Sequence, residues 1–307
     1  MPIWGGAMAE DLLGGAGPVG LVRARHGLMM YRRTDSVVGR SLDYYGEYFE
    51  QEVALFRQCV RAGDRVIDVG ANIGAHTVAL ARLVGPTGRV LALEPIDANH
   101  RLLCGNLALN GLDWADGMLA AAGAADGVLH LAGVAMDAEG NYGALSLDAL
   151  HGDRPVPVHR LDGLGLDGLA PDGAGRIRLI KIDVEGMEAE VLEGARGLIA
   201  RDRPVLYVEN DRPDKSAALI RLLGELGYAS YWYLPAFHNP ANFAGRSEAI
   251  FGHGLVDNGT EIHGLGMGIN LFCLPAEAGA RINGLLPVAD PDEHPLRRGH
   301  NGRFIGG

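Results

Sequence analysis

The chain has 307 residues, a net charge of −11 and a pI near 5.4, with 48% of its residues hydrophobic. That length and apolar content suit one α/β domain with extensions better than two equal domains, and the acidic balance argues against sequence-independent binding of DNA or RNA, whose phosphates need a basic surface. Cys59, Cys104 and Cys273 are scattered with no C-x-x-C pair, which suggests neither a disulfide framework nor a zinc cluster and makes a reducing cytosol the simplest home.

In chain order, residues 1–20 are glycine-rich and predict a loosely packed start. Leu21 to Val38 flanks His26-Gly27 with short apolar stretches, the pattern of a β-hairpin or an extended cover segment. Glu47 to Arg61 sets Phe49, Val53, Phe56 and Val60 at helical spacing, with Gly63 as a candidate C-cap. Strands are expected at 66–70 and 89–93, helices at 75–84 and from Asp97, a candidate N-cap, to Asn110-Gly111. Met118 to Ala122 is a candidate third strand, and short strand-like pieces follow near Val128–Leu131, Ala144–Leu147 and Val156–Leu161.

Regular alternation returns with a strand at Arg178 to Ile182 and a helix carrying Met187, Val191, Leu192, Ala195, Leu198 and Ile199 on one face. A strand at Pro204 to Val208, a helix at Ala217 to Leu226 and strands at Tyr228–Leu234 and Ile269–Leu274 complete the pattern. It predicts a Rossmann-like, mostly parallel sheet with helices on both faces, with ligands at the carboxyl ends of its strands. The expected organisation is a cover segment over 1–45, one domain over 46–275 and a flexible tail over 276–307. Glu10 and Asp11 interrupt any N-terminal apolar core, and Met118 to Met136 carries Asp126 and three glycines, so no membrane span is expected.

The chemistry concentrates at two places. Val66-Ile67-Asp68-Val69-Gly70-Ala71-Asn72-Ile73-Gly74 is an apolar run leading through small residues into a helix, and Glu94 follows at the end of the next strand. A carboxylate there can hold both hydroxyls of a ribose, and a helix N-terminus offers free N–H groups. The dinucleotide pattern needs glycine at 72 and 75, where this chain has Asn72 and Ala75. A pyrophosphate therefore loses its close backbone approach, whereas S-adenosylmethionine makes no such demand.

The second place is Ile180-Lys181-Ile182-Asp183-Val184-Glu185-Gly186-Met187-Glu188, with Glu209 ending the next strand. Asp183, Glu185 and Glu209 are the catalytic candidates. Either they hold Mg²⁺ through oxygen, or one carboxylate acts as base without metal, the favoured reading because acids at strand ends are common. Glu188 reads equally well as a carboxylate favoured by a helix dipole. His76 is placed to touch cofactor or substrate, or simply to cover the helix start. His159, more plausible as an edge-strand histidine than as a base, and Asn239 and Asn242, in a loop whose aromatic and amide groups suit a sugar face, are acceptor-side candidates.

These blocks, with Glu94-Pro95, Asn106 to Asn110-Gly111 and Val208-Glu209, closely resemble the FkbM family of S-adenosylmethionine-dependent methyltransferases, in order from about Gly46 to Leu234. The resemblance implies a class I methyltransferase fold and O-methylation of a sugar, polyketide or other natural-product hydroxyl. By position it implies that Asp68, Gly70, Asn72 and Gly74 cradle the methionine part, that Glu94 holds the ribose, that Ala71, Pro95 and Asp183 also bind the cofactor, and that Asp183 and Glu185 border the transferred methyl. Asn141 and Tyr142 resemble a segment found in some members and join the acceptor-side candidates. The expected partner is a small-molecule hydroxyl acceptor, not nucleic acid or membrane, in a cytoplasmic protein for which homo-oligomerisation is open. An NAD-dependent oxidoreductase and a catalytically idle nucleoside-binding module are the alternatives.

Overall fold

The computed structural model describes residues 11–14, 17–137, 140–141, 151–164, 175–251, 256–257, 262–263, 266–279 and 282–295. A hairpin of β1 (Val19–Ala24) and β2 (Gly27–Arg32) leads to α1 (Val38–Tyr45) and α2 (Glu50–Cys59). Alternation then runs through β3 (Arg65–Val69), α3 (Ala75–Val84), β4 (Arg89–Leu93), α4 (Asp97–Leu109) and β5 (Ala115–Met118). Short strands β6 (Ala121–Ala122), β7 (Gly127–Leu131) and β8 (Arg154–His159) make a separate three-stranded sheet. The chain returns through β9 (Ile177–Ile182), α5 (Glu188–Glu193), α6 (Arg196–Asp202), β10 (Val205–Glu209), α7 (Pro213–Glu225) and β11 (Tyr228–Tyr233). It closes with β12 (Val256–Asp257), β13 (Ile262–His263), β14 (Asn270–Pro275) and β15 (Leu286–Pro287).

The main sheet has the order β15-β11-β14-β10-β9-β3-β4-β5, with β10, β9, β3, β4 and β5 parallel and β14 antiparallel between β10 and β11. The chain winds outward from β3 to β5, then restarts at β9 and winds the other way. The reversal leaves a crevice beyond the carboxyl ends of β3 and β9, where open α/β sheets take their ligands. This is the mostly parallel α/β arrangement expected from the alternation, and it agrees with the class I methyltransferase fold that the resemblance implies.

The inner strands are buried on both faces, as crossover helices require. One face packs Val66, Val90, Leu179 and Tyr207 against the hairpin and the first helices. The other packs Ile67, Leu91, Ile180 and Leu206 against residues of α5, α6 and α7. Val22, Ala24, Met29 and Tyr31 place the hairpin within the first core rather than over it. Asn106 and Asn110 of α4 fasten it. Asn106 accepts from Met30 N–H at 2.6 Å and donates to the Met30 and Ile73 carbonyls, while Asn110 brackets Leu28 in the same way.

Several local expectations are corrected. α2 ends at Cys59 with Val60 as its C-cap, and Gly63 instead donates to the Val84 carbonyl. Asp97 is the first residue of α4, not its cap, and pairs with Arg101 one turn on. The third strand ends at Met118, and Ala121–Ala122 leaves for the small sheet. The single helix expected over Met187 to Ile199 is two, because the Gly194 carbonyl accepts Asp162 N–H at 2.9 Å and Asp162 caps α6 through the N–H groups of Gly197 and Leu198. α1 carried no signal. The segment after Pro275, expected as a flexible tail, adds β15 to the β11 edge and buries His294 against Trp232, with its Nε2 2.7 Å from the Asn210 carbonyl. The piece expected at Ala144–Leu147 lies outside the described residues. Among the described residues, no helix is long and apolar enough to cross a membrane.

Gly70 fixes the distance between the two central strand ends. Its φ is +79°, and a Cβ there would lie 1.7 Å from the Asp183 carbonyl. Gly70→Ala should therefore destabilise the protein by about 2–4 kcal/mol through left-handed strain and backbone overlap. Urea unfolding midpoints test this, and an unchanged midpoint would show that the strand ends can part freely.

Candidate functional site

The crevice is a cavity of about 300 Å³, lined from β4, β3, β9, β10 and β14, with α2 and the 237 loop closing it. At its first end Gly70 and Ala71 donate N–H groups to the Leu93 carbonyl at 2.9 and 3.0 Å, drawing the turn onto β4. Asn72 then takes φ +51°, its side-chain Oδ1 accepts Ile73 N–H at 2.7 Å, and its own N–H donates to Glu94 Oε2 at 2.8 Å. Glu94 also accepts Ile96 N–H at 2.9 Å. Burial pushes its carboxyl up to about 7, against the lowering effect of those N–H groups. Ala120, Ala121 and Ala122 add a small apolar wall beside it.

At the other end Asp183, Glu185 and Glu209 bring carboxylate oxygens within 4.8 Å of one another. Burial and repulsion from neighbouring acids, Asp183 foremost, push Glu209 well above the usual range and raise Glu185. Two cations answer part of this charge: Lys181 Nζ lies 3.0 Å from Asp183 Oδ2, and Arg212 pairs with Glu185. Lys181 is 2% exposed. Burial alone would lower its pKa, but Asp183 and Asp68 outweigh that and hold the ammonium charged. Glu209 Oε2 is buried without a hydrogen-bond partner. The three carboxylates are the described residues that could hold a divalent ion. Glu188 turns back to accept Gly186 N–H at 2.9 Å, a capping role consistent with the helix-dipole alternative.

Between the two ends stand Tyr48, Phe49 and Phe237, with Phe49 and Phe237 rings 4.1 Å apart. Three of the four non-glycine residues with positive φ among the described residues, Phe49, Asn72 and Glu185, line this cavity. Such conformations cost about 1–2 kcal/mol each and gather where a site over-determines them.

Gly70, Ala71, Asn72, Glu94, Pro95, Asn141, Asp183, Glu185 and Glu209 all line the cavity. Other candidates do not. Asp68 is fully buried behind the turn, accepting from Thr77 Oγ1 at 2.7 Å and pairing with Lys181 at 3.6 Å. Gly74 faces Leu103. His159 sits on β8, a strand of the small sheet, with its ring toward Asp126. Asn239 and Asn242 are tied up in the loop: Asn239 donates to Glu47 at 2.8 Å, and Asn242 braces the Asn239 and Arg246 backbone. Tyr142 lies outside the described residues.

Lys181, Glu52, Tyr48 and Asn270 also line the cavity, although none of them is a site candidate by sequence. Two carried a signal: a lysine inside the apolar run Ile180-Lys181-Ile182, and a glutamate inside the Phe49, Val53, Phe56 helical stripe.

Among solved structures, the chain is similar to a methyltransferase FkbM from Methylobacillus flagellatus KT, at 16% identity over 73% of this chain and 50% of that one, with a TM-score of 0.38. It is similar to a SAM-dependent O-methyltransferase from Thermotoga maritima, at 13% identity over 87% and 80% of the two chains, with a TM-score of 0.40. The O-methyltransferase TomG from Streptomyces achromogenes gives 13% identity over 74% and 78%, also with a TM-score of 0.40. No curated protein matches the sequence significantly. The profile described as the Methyltransferase FkbM domain matches residues 68–230. A match that begins at Asp68, takes in the turn after β3 and both acidic strand ends, and spans more than half of the chain shows that this protein belongs to the FkbM family of methyltransferases.

Proposed function

We propose that the protein transfers the methyl group of S-adenosylmethionine to a hydroxyl of a sugar or of a glycosylated or polyketide-type natural product. The observation that carries this reading is one cavity with a buried, N–H-anchored carboxylate at one end, Glu94, and a lysine-held carboxylate at the other, Asp183. The residues fit the cofactor: Glu94 is aimed where a ribose diol would be held, and Asn72 takes a position that a pyrophosphate would require to be glycine.

When bound, S-adenosylmethionine supplies an electrophilic methyl group on a sulfonium. The turn at Gly70 to Asn72 and Glu94 bind and orient it. Tyr48, Phe49 and Phe237 exclude water and offer faces to an acceptor ring. Asp183 takes the hydroxyl proton as the acceptor oxygen attacks, and Lys181 holds its carboxylate in place. Glu185, raised by burial and by its acidic neighbours, donates a hydrogen bond to the acceptor when protonated. Lys181 and Arg212 already answer the charges of Asp183 and Glu185, which supports a base rather than a metal as the activating group. Free cysteines at 59, 104 and 273 and the charge of −11 support a cytosolic protein acting on a small molecule rather than on nucleic acid or membrane.

Glu94 accepts a diol only as the carboxylate. The affinity for S-adenosylhomocysteine should thus fall as pH drops below about 7, approaching tenfold per unit. In Glu94→Gln the affinity should be weak and flat with pH, and calorimetry from pH 5.5 to 8 reads both. The raised carboxyl stabilises the fold fully below 4.5 and loses that contribution as pH rises through about 7, so ligand should raise the melting temperature more at pH 8 than at pH 6.

A labelled-methyl screen of sugars and glycosylated metabolites, with and without chelator, identifies the acceptor and should show no chelator effect. With that acceptor, Asp183→Asn should lower turnover by about 10²–10⁴-fold while S-adenosylhomocysteine binding is kept. Full turnover in this variant would remove Asp183 from the chemistry.

A further inference from the structure

Order along the sheet separates the parts of the cavity. Ala120 to Ala122 lie beside β5, Glu94 ends β4, the Gly70 turn ends β3, and the acids Asp183 and Glu209 end β9 and β10. With a base by the alanines and a ribose on Glu94, the next stretch of the cofactor lies over the end of β3 and the start of α3. Two ionisable side chains meet there that neither the fold nor the acceptor chemistry accounts for. Glu52 of α2 and His76 in the first turn of α3 both line the cavity, with side chains 5% and 7% exposed.

Glu52 Oε2 and His76 Nε2 approach to 3.1 Å, yet the buried ring nitrogen lacks a directed hydrogen bond. The other Glu52 oxygen accepts a long contact, 3.4 Å, from Asn270 Nδ2, and the buried Tyr207 hydroxyl faces the same carboxylate without a directed hydrogen bond of its own. Tyr48 and Phe56 rings flank the imidazole at 5.4 and 5.9 Å, keeping water from it. Lys181, the nearby ammonium, is already committed to Asp68 and Asp183. A buried carboxylate and imidazole with hydrogen-bonding capacity left over, at one wall of a ligand cavity, match an α-amino acid zwitterion.

We propose that Glu52 and His76 form the subsite for the amino-acid end of the cofactor, an inference that rests on the methyltransferase reading. Glu52 accepts from the α-ammonium. His76 donates to the α-carboxylate, which also meets the free N–H groups at the start of the ten-residue helix α3. The pair then makes binding depend on the part of the ligand farthest from adenine.

Calorimetry with two ligands tests this: S-adenosylhomocysteine, which carries the amino acid, and 5′-methylthioadenosine, which lacks it. Wild type should prefer S-adenosylhomocysteine, and Glu52→Gln should weaken it by about 10–100-fold while 5′-methylthioadenosine binding stays unchanged. His76→Gln serves the same test if Glu52→Gln fails to fold. Equal binding of both ligands by wild type, or equal weakening of both in the variants, would overturn the subsite. A wild type that binds neither ligand would overturn the methyltransferase reading itself.

Discussion

The buried ammonium of Lys181, set between Asp68 and Asp183, is the interaction on which the centre of this molecule depends. Lys181 sits opposite Asp68 in the β3–β9 register, so the pair spans the two strands whose divergence opens the crevice. Asp68 is wholly inside the protein, and an isolated carboxylate there would be untenable. One lysine therefore neutralises a core acid and, with the same nitrogen, fixes the carboxylate that faces the cavity. The strand pair cannot slip by one residue without losing the contact between Lys181 and Asp68, because such a slip turns the lysine to the opposite face.

Around this pair the backbone is bent into conformations it would otherwise avoid. Phe49, Asn72 and Glu185 hold left-handed geometry at three different walls of one cavity. The surrounding order is what makes this tolerable: Asn72 is bracketed by Ile73 and Glu94, Glu185 is paired with Arg212, and Phe49 is stacked on Phe237. Glu47 performs the related task for the loop, gathering Arg25, Asn239 and the Phe243 N–H onto one buried carboxylate. The amides of that loop are thereby spent on its own shape, and its aromatic ring is what reaches the ligand space.

Much of this was legible in the residues because the signals are local. Period, strand-end acids and the broken glycine pattern at Asn72 and Ala75 sufficed for the sheet, the turn and Glu94. What escaped depends on contacts between distant parts of the chain. Asp68 shares its motif with ligand-facing residues, yet strand alternation turns it to the core. The break between α5 and α6 is imposed by Asp162, well upstream of the helix itself. Asn239 and Asn242 had the composition of a sugar-binding loop, and only the position of Glu47 shows that they serve the loop instead. Glu52 looked like one charged residue in an amphipathic helix, and its stripe position gains meaning once α2 is seen to wall a cavity.

The insertion of β14 between β10 and β11 has a consequence for how the chain comes into being. β10 pairs on one side with β9, already made, and on the other with a strand more than sixty residues later. During synthesis from the N-terminus, the apolar edge of β10 stays open until Asn270 to Pro275 emerges, and the β11 edge waits longer for Leu286 and Pro287. A nascent chain stalled within that interval carries a near-complete core with an unpaired hydrophobic strand at its border, the species most prone to join a neighbour or recruit a chaperone.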